Sequence, residues 1–486
     1  MIKFKTHLYP HQEAAVKKLL PLKVGALYME QGTGKTRTVC EIVADRQVKG
    51  KIDVVLWLCP CSVKRNLRDD LVYHCGAKPD WIVIRGIESL SSSDRLYVEL
   101  YKLVTTHKVM IVVDESILTK NRSAIRTERI IELASHCKYR MILNGTPVSK
   151  SEADMYAQWY ILDWRILGYQ SYYSFAANHI EYETITLPSG YEVQTDRIRR
   201  VLNVDYLSKK ISPYTYQVRK ADVLDLPSKT YYTEYACMTD DQEEIYDKTK
   251  ENYLFNVDDM RSETIYKLFT ACQHVASGRK VSPDPQQKMT TSEIFADPED
   301  NPRIQALEHI IENRILKGEK CIIFCKYSEE ISEIEEILNR RGLDWVEFTG
   351  RIRQKERQRN LDAFRGDTQY LLANKMCGAY GLNLQFCRNM IFYSNDFDLA
   401  TRAQAEDRIH RIGQTHEVAI YDVIMCGTID TFICGCIGRK ENMVEAFKRS
   451  IDEWKKKKIE EGGKNETVHR QRRIRGGKRA DRLLLS

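Results

Sequence analysis

VGALYMEQGTGKTRTVCEIVADRQ, residues 24–47, is the stretch on which the fold turns. An apolar run, VGALYM (24–29), passes through the glycine-rich turn MEQGTGKT (29–36) into a segment with helical periodicity. Strand, glycine turn and helix in that order form the context in which backbone N–H groups close around phosphate oxygens. Gly32 and Gly34, on either side of Thr33, remove side chains where the backbone must approach, and the helix N-terminus adds its partial positive charge. Lys35 is placed to neutralise the outer phosphates, and the Thr36 hydroxyl is a candidate Mg²⁺ ligand. The full G-x-x-x-x-G-K-[ST] pattern fails only at its first position, which is Met29.

Outward from that turn, short apolar strands alternate with helical segments in two blocks, the pattern of parallel α/β sheets. The first block continues through VVLWLCP (54–60), WIVIR (81–85), VMIVVDE (109–115) and YRMILNGT (139–146). The second runs through CIIFCK (321–326), WVEFTG (345–350), YLLANK (370–375), NMIFYS (389–394) and VAIYDVI (418–424). Between them, 150–300 is rich in Tyr and charge but poor in strand signal, so helical insertions are expected, with a linker near LDLPSKTYY (224–232). The expected organisation is a first α/β lobe over 1–165, helical insertions and interlobe linker over 166–300, a second lobe over 301–450 ending in a brace helix, and a basic tail over 451–486.

Composition narrows the function classes. No apolar run reaches the length of a membrane span, and the N-terminus MIKFKTHLYPHQ has no apolar core of a secretory signal. Fourteen cysteines are scattered without a CxxC…CxxC set, which points to reduced structural thiols rather than zinc. The net charge of +7 is uneven: residues 455–486 hold twelve Lys/Arg against four Asp/Glu. Such a tail is expected to be disordered and to touch polyanions.

Two further stretches complete a phosphoryl-transfer set. VVDES (112–116) ends an apolar strand in two carboxylates, at the sheet edge where open α/β sheets bind ligands. Asp114 is the expected Mg²⁺ holder and Glu115 the residue that polarises the attacking water. QAEDRIHRIGQT (404–415) spaces Gln404, Arg408 and Arg411 at i, i+4, i+7, one face of a helix. Arg408 and Arg411 could supply the positive charge that the transition-state oxygens need, an arginine-finger role that the first block leaves open.

Taken together, these residues resemble the Swi/Snf-like branch of superfamily-two helicases, the ATP-driven double-stranded DNA translocases, over about residues 5–450. LYPHQ (8–12) is similar to the family's adenine-reading motif, which makes Gln12 the implied adenine contact. CPCSVKRNL (59–67), LNGTPVSKS (143–151) and CGAYGLNL (377–384) match its DNA-backbone and lobe-coupling motifs. KKISPYTYQVRKADVLDLPSKTYY (209–232) follows its insertion, and GTID (427–430) opens a helix as the family does. QAEDRIHRIGQ is the most diagnostic match. The resemblance implies two RecA-like P-loop lobes with parallel sheets and helical Swi/Snf-type insertions, using ATP and Mg²⁺. ATP contacts are implied for Gln12, Gly32, Thr33, Gly34, Lys35, Thr36, Asp114, Gln404, Arg408 and Arg411. Contacts to DNA phosphates are implied for Ser62, Gly145, Thr146, Gly350, Gly381 and Asn383.

Three positions depart from the pattern. Ile117 stands where an Asp-Glu-x-His box has its histidine, so a relay to Gln404 is in doubt; Phe397 replaces a tryptophan, and Lys375–Met376 replace Thr-Arg. The expected function is a DNA-dependent ATPase moving along double-stranded DNA, as a monomer, with other DNA-bound proteins as further partners and no membrane. A compact motor of a bacterium or phage, in the cytoplasm, is expected over a nucleosome remodeller; a eukaryotic source would place it in the nucleus. The alternatives are a strand-separating or fork-remodelling helicase, although no hairpin wedge is legible, and a DNA-binding scaffold with a weak ATPase.

Overall fold

The computed structural model describes residues 2–145, 152–186, 191–254, 262–282, 288–374, 382–397, 399–439, 443 and 446–450. Within these, the chain divides into two compact units, Met1–Leu226 and Pro227–Ser486. The basic tail, Thr146, Gly381 and the Lys375–Met376 departure lie outside the described residues.

The first unit is built on a six-stranded sheet. Its strands are β1 (Val24–Met29), β2 (Val54–Cys59), β3 (Ile82–Gly86), β4 (Val109–Val113), β5 (Tyr139–Asn144) and, after β6 (Ile180–Thr186) and β7 (Glu192–Val201), β8 (Thr215–Val218). The order is β3-β2-β4-β5-β1-β8, and every pairing is parallel. Apolar runs without alternation form these strands because helices cover both faces. Alternate residues feed two separate cores: Leu56, Leu58, Ile111 and Val113 on one face, Val55, Trp57, Met110 and Val112 on the other.

The second unit repeats the plan. Its sheet comprises β9 (Lys229–Ala236), β12 (Cys321–Phe324), β13 (Trp345–Phe348), β14 (Tyr370–Ala373), β15 (Asn389–Phe392) and β16 (Val418–Met425). They lie in the order β13-β14-β12-β15-β16-β9, again all parallel. Cys321, Ile323 and Leu372 pack on one face, Ile322, Phe324 and Leu371 on the other. A short antiparallel pair, β10 (Arg279–Val281) and β11 (Thr291–Glu293), lies outside the sheet. The helices Asp240–Leu254 and Ser262–Ala276 join the Ile429–Arg439 helix around Phe269 in a core of their own. Phe397 packs there against Tyr266 and Phe269, with the Lys326 ammonium over its ring, so an aromatic ring still fills that departing position.

Tandem parallel α/β sheets with inserted helices are therefore the architecture. The segment 166–300 differs from the helical block expected. Its β8 completes the first sheet and its β9 opens the second, while β6 and β7 form a separate antiparallel ribbon. These strands escaped notice for a physical reason: β9 is an edge strand whose TYYTEY pattern stays largely exposed, and the ribbon's sequence is mostly polar and charged.

Candidate functional site

The turn after β1 is organised by its glycines. Gly32 and Gly34 have positive φ, 82° and 89°, a left-handed backbone that glycine adopts without strain. A Cβ on Gly34 would lie 2.0 Å from the Gln12 amide nitrogen, so Gln12 packs directly onto the loop. Gln12 Nε2 and His11 Nε2 both donate to the Thr33 carbonyl, at 3.1 and 2.8 Å, and the Gln12 side-chain oxygen accepts from the Tyr9 N–H. The Thr33 hydroxyl donates to the Glu30 carbonyl. Lys35, the first residue of the Lys35–Val48 helix, points its ammonium back to the Met29 carbonyl at 2.8 Å. Glu30 anchors the loop from behind, its carboxylate accepting the Lys220 N–H at 2.8 Å.

Asp114 and Glu115 follow β4, at the same carboxyl edge of the sheet. Burial, then the neighbouring Glu115 charge, pushes the Asp114 carboxyl up to about 6, and the Lys35 ammonium pulls it partly back. The loop lysine and the strand-end carboxylate therefore share one electrostatic site. Glu115 has φ 49°, one of two described non-glycine residues with positive φ, and its N–H donates to Asp114 Oδ1. Left-handed backbone at a glutamate costs on the order of 1–3 kcal/mol. Behind it, Ser116 donates to Gln158 at 2.7 Å, fixing the segment to the Met155–Leu167 helix, while Ile117 is half-buried.

In the second unit, Gln404 and Arg408 lie on the Leu399–Ile409 helix, Arg408 buried and Gln404 half-buried. Arg411 is not on that helix. It stands in the turn that follows, closed by the Gln414 N–H to the Arg411 carbonyl, ahead of Gly413 with φ 97°. The one-face spacing therefore holds for Gln404 and Arg408 and ends before Arg411. Its guanidinium donates instead to Asn383 Oδ1 at 2.5 Å, and the Leu384 N–H donates to the Arg408 carbonyl. An expected DNA contact and an expected finger thus sit side by side.

The helix is held by a network that sequence reasoning missed. Glu406 accepts from Lys229 Nζ at 3.0 Å, Tyr231 OH at 2.9 Å and Arg402 Nε at 3.0 Å. Arg402 also forms a two-pronged pair with Asp422, and His410 Nε2 donates to the Pro227 carbonyl at 2.9 Å. The Lys of LDLPSK therefore has a job: it clamps β9 to the arginine-bearing helix. His11 and Glu30 were likewise overlooked, although each stands beside a residue singled out.

Of the remaining expected DNA contacts, Ser62, Gly145 and Gly350 follow β2, β5 and β13, each at the carboxyl edge of its own sheet. Gly350 is exposed, Ser62 and Gly145 half-buried, and a Cβ on Gly145 would meet nothing within 4 Å. Among the described residues no three His, Cys, Asp or Glu side chains cluster to hold a metal by themselves, and no helix is long and apolar enough to cross a membrane.

Residues 77–286 match the model of the SNF2-related domain, and residues 302–413 that of the helicase conserved C-terminal domain. The chain thus carries an SNF2-related region followed by a helicase C-terminal region. The chain is 22% identical to the ATP-dependent helicase fft2 of Schizosaccharomyces pombe, over 84% of its own length and 38% of that protein's. It is 24% identical to the TATA-binding protein-associated factor MOT1 of Saccharomyces cerevisiae, over 86% of its length and 26% of MOT1. It thus spans well under half the length of either relative. Among solved structures, the Sulfolobus solfataricus SWI2/SNF2 ATPase core in complex with dsDNA is 22% identical, with 90% of this chain and 92% of that one covered and a TM-score of 0.40.

Proposed function

We propose that this SNF2-related protein is an ATP-dependent translocase on double-stranded DNA. The observation that carries the reading is the loop of positive-φ Gly32 and Gly34 with Lys35 at the head of its helix, set at the same sheet edge as Asp114 and Glu115 after β4, two strands away. Lys35 and the loop N–H groups bind the phosphates of ATP, and Gln12, seated on Gly34, reads its base. The Thr36 hydroxyl and the Asp114 carboxylate are hard oxygen donors suited to Mg²⁺, which when bound neutralises charge on the outer phosphates. Glu115 orients the attacking water, and Arg408 and Arg411 stabilise the developing charge in the transition state. Contacts to DNA run to the phosphate backbone through Ser62, Gly145, Gly350 and Asn383, and so carry little sequence preference. Thr146 and Gly381 complete that set. The partner is duplex DNA, together with proteins bound to it, and the motor acts as a monomer.

The test is steady-state ATP turnover with no nucleic acid, single-stranded DNA, duplex DNA and duplex RNA, with Lys35→Ala as control. Duplex DNA should stimulate most. No stimulated turnover under any condition would remove the motor reading.

One observation favours a strand-separating activity as second reading. Among the described residues the ribbon β6–β7 pairs with no other strand. Its base is anchored by Ile180 and Tyr182 in the first core, whereas Tyr191 (75% exposed) and Val193 project from its far half. That is the form of a wedge. Replacing residues 184–195 with a short glycine linker should abolish unwinding of a forked duplex while leaving duplex-stimulated ATP turnover intact; unwinding that survives excludes the wedge.

A further inference from the structure

In the second unit, β9 and β16 run in register from Lys229 opposite Val418 to Ala236 opposite Met425. One step further in each chain stands a cysteine, Cys237 and Cys426. The ladder carries on across that step, because the Cys426 N–H donates to the Ala236 carbonyl at 2.8 Å. Matched positions on neighbouring strands present their side chains to the same face, so the two thiols are neighbours, and burial, then Cys237, raises the Cys426 thiol. A strand spacing of about 4.8 Å lies inside the Cα separation of roughly 4.4–6.8 Å that a disulfide bridges. Cys237 is exposed and Cys426 half-buried, so an oxidant reaches the first and the second waits beside it. A second close pair, Cys40 and Cys75, lacks this access at Cys40, which is fully buried.

We propose that Cys237 and Cys426 form a reversible redox-modification site for hydroperoxides, whose product is a disulfide joining the first strand of the second unit to its last. The Cys237 thiolate attacks one oxygen of hydrogen peroxide; the O–O bond breaks, and the departing hydroxide leaves as water with the thiol's proton. Cys237 is now a sulfenic acid. Cys426 sulfur attacks Cys237 sulfur, the S–S bond forms, the S–O bond breaks, and the second hydroxide takes the Cys426 proton as water. Two thiols lose two electrons and one peroxide becomes two waters. A dithiol reductant reverses the bond by exchange. The cross-link pins the far end of β9, the strand that brings Lys229 and Tyr231 to Glu406.

The test uses the full chain, treated with a small molar excess of hydrogen peroxide, alkylated, and mapped without reduction. A cross-linked peptide pair containing Cys237 and Cys426 is expected, lost on dithiothreitol and absent in Cys237→Ser and Cys426→Ser. In Cys426→Ser, Cys237 should instead proceed to sulfinic acid. Recovery of both peptides singly from the wild type, at doses that oxidise Cys237, overturns the proposal. So does pairing of Cys237 with any other cysteine. The wild-type map decides the matter even if a serine variant folds poorly.

Discussion

Glu406→Ala removes the acceptor at the centre of the clamp on the arginine-bearing helix, and its cost follows from three bonds. The Glu406 side chain is 9% exposed, and it takes hydrogen bonds from two cations and one phenol. Burial alone would raise its carboxyl, but Lys229 and Arg402 outweigh that and hold it below the usual range. A hydrogen bond to a charged group contributes about 1.5–3 kcal/mol. Not all of that is lost: Arg402 keeps its two bonds to Asp422, and Lys229, 27% exposed, can turn to water. A net destabilisation of about 2–4 kcal/mol remains, well above a surface ion pair. For a unit of this size each kcal/mol lowers Tm by about 2–4 °C, so the transition of the second unit should fall by roughly 5–15 °C. Because the Glu406 carboxyl is depressed, this contribution is present above its unfolded pKa near 4.5 and fades as pH drops through the lower folded value. Scanning calorimetry of wild type, Glu406→Ala, Lys229→Ala and the double variant closes a cycle, and a coupling of about 1 kcal/mol or more is expected. A Tm within 1 °C of wild type, or additive single effects, would show that the clamp does not hold the helix.

Gly34→Ala forces a Cβ onto the Gln12 amide and a left-handed alanine into the loop, so nucleotide affinity should fall about tenfold or more with the circular dichroism spectrum unchanged; titration with a fluorescent ATP analogue checks it. Arg411→Ala should leave ATP binding nearly intact while cutting turnover about 10³-fold, and an equal loss of affinity would make the arginine structural. Burial beside Tyr327, with the Lys326 and Arg279 charges nearby and Glu329 opposing them, holds His274 down to about 4. The unfolded chain, with an ordinary histidine near 6.5, takes up this proton first as pH falls. Stability of the second unit should therefore decline from pH 6.5 towards pH 4, and denaturant melts of His274→Gln should show a shallower decline.

Both sheets were legible because fully buried parallel strands are uninterrupted apolar runs, as VVLWLC and CIIF illustrate. The edge strand β9 and the ribbon β6–β7 were not, since exposed strands carry tyrosine, threonine and charge instead of an apolar period. At the site, short-range motifs were readable: glycines that need positive φ, a lysine after them, carboxylates ending a strand. Contacts between distant segments were not readable. Nothing local in Lys229 announces Glu406, and nothing in Asn383 announces Arg411. The helical spacing of Gln404, Arg408 and Arg411 suggested a continuous helix, but Gly413 ends it early through a left-handed turn packed against Gln385.

Displacement of a third strand from duplex DNA tests translocation most directly, because a motor that tracks the duplex must push the triplex-forming oligonucleotide off without separating the two strands beneath it. ATP should drive displacement with wild type and fail to do so with Lys35→Ala. Duplex-stimulated ATP hydrolysis with the third strand left in place would contradict a translocase.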